Sequence, residues 1–152
     1  MNLKLYPMDV YSTPLLWYKG LSEFQLKQTN EALSDFSEAL KQNPYHIYII
    51  ADMATCYELK GEREKAIGMY KKALKLSPYF NEAGLNLCAI YHNCNMTDSS
   101  GYYMMRMNRD TSARYKHIMC TVLFTYLSKI ANQTHDEVFH KLLIQHKNNP
   151  DF

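Results

Sequence analysis

Cys88 and His92 lie four residues apart, the spacing that puts two side chains on one face of a helix, and Cys94 follows two further on. Thiolate and imidazole are the donors that zinc or copper takes. Three ligands without a second pair fall short of a closed site, and core cysteines beside a surface histidine are the plainer reading. His135, His140 and His146 are five and six apart, so a helix scatters them over different faces and no ligand pair results. The chain contains no GxGxxG, no phosphate-cradling GxxxxGK[ST] and no GxSxG. Its Asp and Glu residues are spread over positions that read as solvated helix faces. The expectation is a chain with no catalytic residue, no metal and no cofactor. Asn95-Met96-Thr97 and Asn132-Gln133-Thr134 are sequons that matter only in a glycosylating secretory pathway.

Composition bounds what could hold such residues. Lys and Arg number 17 against 15 Asp and Glu, a net charge of +2, which gives no electrostatic footprint for nucleic acid. Apolar residues make up 47% and charged residues 21% of 152, a globular balance with enough chain for a core. Gly and Pro number only 5 each, which disfavours turn-rich sandwiches and favours long helices joined by short connections. The most apolar stretch, Ile118 to Leu127, is half of the roughly 20 residues a membrane span needs and carries Thr121 and Thr125. It reads as a buried helix. Lys4, Leu5 and Tyr6 precede Pro7 and Asp9 without a signal-peptide core, so the chain as written favours the cytoplasm, unless an export signal lies upstream. Cys56, Cys88, Cys94 and Cys120 form no CxxC and read as four buried thiols in a reducing compartment.

Self-comparison supplies the architecture. Gln42-Asn43-Pro44-Tyr45 aligns with Leu76-Ser77-Pro78-Tyr79 at an offset of 78 − 44 = 34 residues. At that offset Glu31-Ala32-Leu33 falls on Lys65-Ala66-Ile67, Phe36 on Tyr70, and Glu38-Ala39-Leu40-Lys41 on Lys72-Ala73-Leu74-Lys75. Thr13 as N-cap and Pro14 in the first turn predict a helix to about Lys27. Gly61 stops the equivalent helix after Lys60 as a left-handed cap. Ala32, Phe36 and Ala39 make one stripe of a second helix, where alanines permit close approach and the aromatic fills the gap. Pro44 and Pro78 end these second helices. The unit is a helical hairpin that cannot hide its apolar faces alone, so it must stack.

This pattern resembles the tetratricopeptide repeat, carried by Gly20, Ala32, Phe36, Ala39 and Pro44 in the first unit and by Ala54, Tyr57, Gly61, Ala66, Tyr70, Ala73 and Pro78 in the second. In the third, Leu87, Cys88 and Tyr91 fit the first helix, while its partner keeps only Ser100 and sets Met104 and Met107 where an aromatic and an alanine are usual. Lys19 and Glu23 depart from the pattern in the first unit. Beyond it, Tyr115, Ile118, Met119, Val122, Tyr126 and Ile130 predict a long amphipathic helix from Thr111 or Ser112. Thr134 and Glu137 form a capping box that opens a last helix with Val138, Phe139, Leu142 and Leu143 inward. The expected fold is therefore an all-α solenoid of tetratricopeptide-type hairpins closed by a divergent capping pair. As one domain it divides into an extension at 1–12, hairpins at 13–46 and 47–80, a degenerate hairpin at 81–108 and capping helices at 109–152.

The strings Leu16-Trp17-Tyr18-Lys19-Gly20, Asn43-Pro44-Tyr45-His46-Ile47, Ala54-Thr55-Cys56-Tyr57 and Arg114-Tyr115-Lys116 also resemble the soluble C-terminal repeat region of Bacteroidetes O-antigen ligase-like polymerases. That likeness implies a periplasmic or membrane-tethered tail of a surface-glycan assembly protein, without its catalytic part.

In such an array the first helix of each hairpin lines the concave side, and the family resemblance makes that face the binding face. Its candidates are Trp17, Leu21 and Phe24, then Tyr48, Asp52, Thr55 and Glu58, then Glu82, Asn86 and His92. Large rings beside fixed polar groups suit a peptide groove, because they lose little entropy on burial. Alternatively, Trp17 and Phe24 pack under the segment Leu3 to Val10. Some domains of this family clamp a C-terminal carboxylate with Lys, Arg and Asn. The matching places here hold Trp17, Leu21, Asp52, Glu82 and Asn86, and two carboxylates there would repel such a ligand. The expected function is a non-catalytic scaffold for a protein or peptide with a basic or aromatic segment. Met104, Met105 and Met107 read as core filling, with self-association into a homo-oligomer as the alternative.

Overall fold

The computed structural model describes residues 13–107 and 113–133. They form seven helices: α1 (Leu15–Gln25), α2 (Thr29–Gln42), α3 (Ile47–Leu59), α4 (Arg63–Leu76), α5 (Asn81–Asn93), α6 (Thr97–Arg106) and α7 (Ala113–Gln133). The segment 1–12, the expected helix start at Thr111 or Ser112, and the Thr134–Glu137 box with the last helix and its three histidines lie outside the described residues.

The 34-residue period is written in the backbone. Lys27, Gly61 and Asn95 sit 34 apart, and each takes a left-handed conformation, with φ of 62°, 75° and 57°. Around each one the same two bonds close the first helix of a hairpin: Lys27 N–H to Phe24 O and Gln28 to Glu23, Gly61 to Glu58 and Glu62 to Tyr57, Asn95 to His92 and Met96 to Tyr91. Two otherwise orphaned carbonyls are satisfied at the end of each of these three first helices. Glycine is needed for this conformation only in the steric sense; lysine and asparagine adopt it here at a cost.

The start of α1 differs from expectation. Pro14, not Thr13, is the N-cap, with φ −61° and ψ 129°, and its carbonyl accepts from Trp17 N–H at 2.9 Å. The ring fixes φ but leaves ψ free to be extended, so proline can stand just outside the helix as well as inside it. The helix also ends at Gln25, because Lys27 already belongs to the left-handed turn.

Two compact units divide the chain, Met1–Ala83 and Gly84–Phe152, the boundary falling within α5. In the first, α1 packs on α2, α2 on α3 and α3 on α4. Ala32, Phe36 and Ala39 from α2 and Ala66, Tyr70 and Ala73 from α4 are fully buried, as the stripe predicts. Gly20 shows why a small residue is required opposite the ring: a Cβ there would lie 2.6 Å from Phe36 Cε1. The Lys19 ammonium bridges Glu23 at 2.9 Å, so the two departures from the repeat pattern pair with each other along α1, and Lys19 also pairs with Asp35 of α2 across the hairpin.

In the second unit Ser100 and Met104 are buried at the places of Ala66 and Tyr70, one period on. Ser100 Oγ donates to the Cys88 carbonyl at 2.9 Å, and Cys88 Sγ donates back to the Ser100 carbonyl. These bonds tie α5 to α6. A core of Leu85, Cys88, Met104, Tyr115 and Val122 takes in Met107, Ile118 and Met119 at its edge. Tyr126 of α7 presses on Gly101, where a Cβ would meet its ring at 2.7 Å. Met104 and Met107 thus fill core, whereas Met105 is exposed. Only Cys56 and Cys88 are buried; Cys94 is half-buried and Cys120 exposed, correcting the expectation of four buried thiols. Cys120 falls off the stripe of Tyr115, Ile118, Met119 and Val122 that α7 turns to the core, which leaves it on the outward side.

Candidate partner-binding site

The site residues of the first unit come from α1, α3 and the start of α5. Trp17 is half-buried, and its indole N–H donates to Asp52 Oδ2 at 2.6 Å, linking the first helices of successive hairpins. Around that bond lies a run of rings. Trp17 is 5.2 Å from His46 and 6.3 Å from Tyr48, centroid to centroid, and Tyr48 meets Phe80 edge-on at 5.2 Å. Tyr48 is 50% exposed, so one face of the run is open to solvent.

Asp52 is the titratable centre of this patch. Burial pushes its carboxyl up from 3.8 to about 6; the indole bond opposes the rise, and the Glu82 carboxylate adds to it. A carboxylate in that state gains from any cation that reaches it. Glu82 itself is exposed. Further along α3, Thr55 Oγ1 and Tyr70 Oη share a hydrogen bond of 2.9 Å, and Tyr70 Oη also donates to Glu58 at 3.4 Å. Leu21 and Phe24 lie half-buried against the core cluster of Ala32, Phe36 and Met53.

The remaining candidates belong to the second unit. Asn86 is buried there and accepts from Arg114 Nη2 of α7, so its amide oxygen is already engaged. His92 is half-buried. Its would-be metal partner Cys88 has its thiol pushed up to about 12 by burial and hydrogen-bonded to a backbone carbonyl, the state of a structural cysteine. Among the described residues no three His, Cys, Asp or Glu side chains converge as a metal would require.

Sequence reading overlooked His46 and Phe80. They are 34 residues apart, each directly before a first helix, so the repeat offset itself could have marked them. His46 caps α3, its Nδ1 accepting from Ile49 N–H at 3.3 Å, and the cap holds its ring beside Trp17.

No family model matches the chain. Its structure is similar to the first TPR of Spaghetti (RPAP3) bound to HSP90 peptide SRMEEVD, with a TM-score of 0.66 and 14% identity over 77% of this chain and 94% of that one. It is similar as well to the Sgt2 TPR domain from Aspergillus fumigatus, with a TM-score of 0.66 and 17% identity over 80% of this chain and 82% of that one. The fold is that of a tetratricopeptide-repeat domain. MamA shares it at a TM-score of 0.59 and 17% identity, over 85% of this chain and 65% of that one. In sequence, this tetratricopeptide-type chain is 30% identical over 95 residues to the Photosystem I assembly protein Ycf3 of Cyanophora paradoxa, which is 59% of this chain and 55% of that protein. The chain thus spans about half the length of that relative. No described helix is long and apolar enough to cross a membrane.

Proposed function

We propose that this domain is a non-catalytic interaction scaffold whose first unit receives a cationic or aromatic segment of a partner on the α1 and α3 face. The observation that carries the reading is the half-buried Asp52, held by Trp17 beside the half-exposed Tyr48 ring and backed by Glu82. Support comes from the similar RPAP3 domain, solved with a peptide, and from a relative named as an assembly protein. The sign of the charge sets this chain apart from a carboxylate clamp, because Asp52 and Glu82 repel an acidic tail and attract a basic one.

Fluorescence anisotropy with two labelled peptides tests this. An amidated peptide alternating lysine, arginine and tyrosine is expected to bind, and SRMEEVD with a free C-terminus is not. Tighter binding of the acidic peptide would overturn the reading. The surface-glycan accessory role rests on the sequence likeness alone. Self-association has one observation in its favour, Phe124 on α7, which is 76% exposed. A mass in solution that stays monomeric up to high concentration removes it.

A further inference from the structure

The rings and carboxylates of the first unit are arranged for one kind of side chain. We infer that Trp17, Tyr48 and Phe80, together with Asp52 and Glu82, form a seat for a single arginine side chain of the partner. This rests on the reading that the α1 and α3 face of the first unit is the docking face, and it names what that face selects.

A guanidinium is flat, always charged and weakly hydrated, so it stacks on an aromatic face and donates in a fork to a carboxylate at the same time. The site offers both halves. The indole and the half-exposed Tyr48 ring lie 6.3 Å apart and tilted by 35°, with Phe80 edge-on behind Tyr48. Asp52 of α3 reaches toward α1, and its Oδ2 takes the indole bond; among the described residues that indole is its one hydrogen-bond donor, which leaves Oδ1 for a guanidinium N–H. Glu82 supplies a second negative charge from the start of α5, and among the described residues no cation shares in holding Asp52, whose neighbours there push its carboxyl upward or donate a neutral N–H. Asp52 is desolvated without being neutralised. A compact ammonium would satisfy the charge but would forgo the ring face and keep a tighter water shell, so lysine is the poorer occupant.

Trp17 is the chain's single tryptophan, which makes its fluorescence a reporter placed in the seat itself. The full chain is titrated with N-acetyl-arginine amide, with the lysine analogue, and with the citrulline analogue, which keeps the shape and loses the charge. The arginine compound is expected to give a saturating change at millimolar concentration, the lysine compound to bind several-fold more weakly, and the citrulline compound to give none. Asp52→Asn and Glu82→Gln are each expected to weaken arginine binding, the first by about tenfold, the scale of one partly desolvated charge contact. Circular dichroism is the control, and both variants are expected to remain helical. Without any variant, lowering the pH through about 6 should release arginine as Asp52 takes up its proton. Among the described residues Glu82 from α5, the His46 imidazole beside Trp17, the Tyr48 phenol and the Cys56 thiol one turn along α3 are the other titratable groups around this centre, so the pH series is repeated on Asp52→Asn, where the step at 6 is expected to vanish.

A citrulline response equal to that of arginine overturns the seat, as does arginine binding that Asp52→Asn leaves unchanged. The peptide arm separates the two readings. If the basic peptide binds the chain while Trp17 is silent and replacing its arginines by citrulline costs nothing, the scaffold stands and the arginine seat falls. If neither peptide nor arginine compound binds, both fall.

Discussion

The two units solve one packing problem with different materials. In the first, rigid rings are set against residues with little or no side chain: Phe36 lies on Gly20, with Ala32 and Ala39 beside it, all fully buried but for the glycine's neighbours at the surface. In the second, Met104 and Met107 stand at the periods of Tyr70 and Ala73, and the ring that meets a glycine, Tyr126, comes from α7. The backbone turn is nevertheless the same at Lys27, Gly61 and Asn95. The comparison teaches that the hairpin is specified by its turn and by one small residue facing the partner helix. The filler opposite can drift from ring to thioether, because methionine adapts to an irregular space where a ring must fit.

The largest test of that contrast is truncation of the filler. Phe36→Ala is expected to cost about 3–5 kcal/mol, since a fully buried ring leaves a cavity that alanine neighbours cannot collapse into. Met104→Ala should cost about 2–3 kcal/mol, its flexible surroundings relaxing into the gap. Urea melts followed by circular dichroism measure both. Equal costs would mean that the two cores are equally rigid.

Next comes the small residue itself. Gly20→Ala places a methyl 2.6 Å from the buried Phe36 ring and 3.3 Å from the Ala32 carbonyl, so it is expected to destabilise by about 1–3 kcal/mol. Gly84→Ala meets the Met107 side chain, at 2.6 Å from Sδ and 2.8 Å from Cγ, an unbranched chain at the edge of its core that can turn aside more easily than a ring; a loss below about 1 kcal/mol is expected. A larger loss at Gly84 than at Gly20 would break the contrast between the units.

The turn gives a pair of opposite sign. Lys27→Gly removes a left-handed side chain and should stabilise by about 1 kcal/mol, whereas Gly61→Ala should destabilise by about as much. Nothing lies within 4 Å of a Cβ at Gly61, so its penalty is purely backbone. Thermal melts of the two variants read the sign directly.

These residues also show where the sequence was legible. The offset of 34, the alanine and aromatic stripe, Gly61 and the two prolines are local or periodic signals, and the helices they predict are present. The long helix α7 was legible for the same reason, through its stripe from Tyr115 to Val122. What the chain did not reveal depends on contacts between distant residues. The bond from Trp17 to Asp52 joins positions 35 apart, and that from Arg114 to Asn86 positions 28 apart. Asn86 looked like a groove residue because its helix position matched one, and only folding brings Arg114 of α7 onto it. Thr13 failed as a cap because a proline after a good capping residue can stand either side of the helix start.

The smallest expected effect bears on a place in the first unit where a charge is held partly away from water. With its carboxyl raised from 3.8 to about 6, Asp52 binds its proton more tightly folded than unfolded. Its contribution to stability is therefore most favourable below about pH 4, declines between the two values and is fully unfavourable above 6. Asp52→Asn keeps an oxygen to accept the indole N–H and removes the charge, so at pH 7.5 it should melt higher than the parent by a few tenths to about 1 kcal/mol, the partial contact with solvent limiting the gain. By pH 4 the two melts should converge. A variant that melts lower at pH 7.5 would show the charge to be already compensated within the fold. The same substitution is the one expected to lose arginine. A single half-buried charge would then account for both results, stability being given up at the position where the partner docks and not in the glycine and alanine contacts that hold the hairpins together.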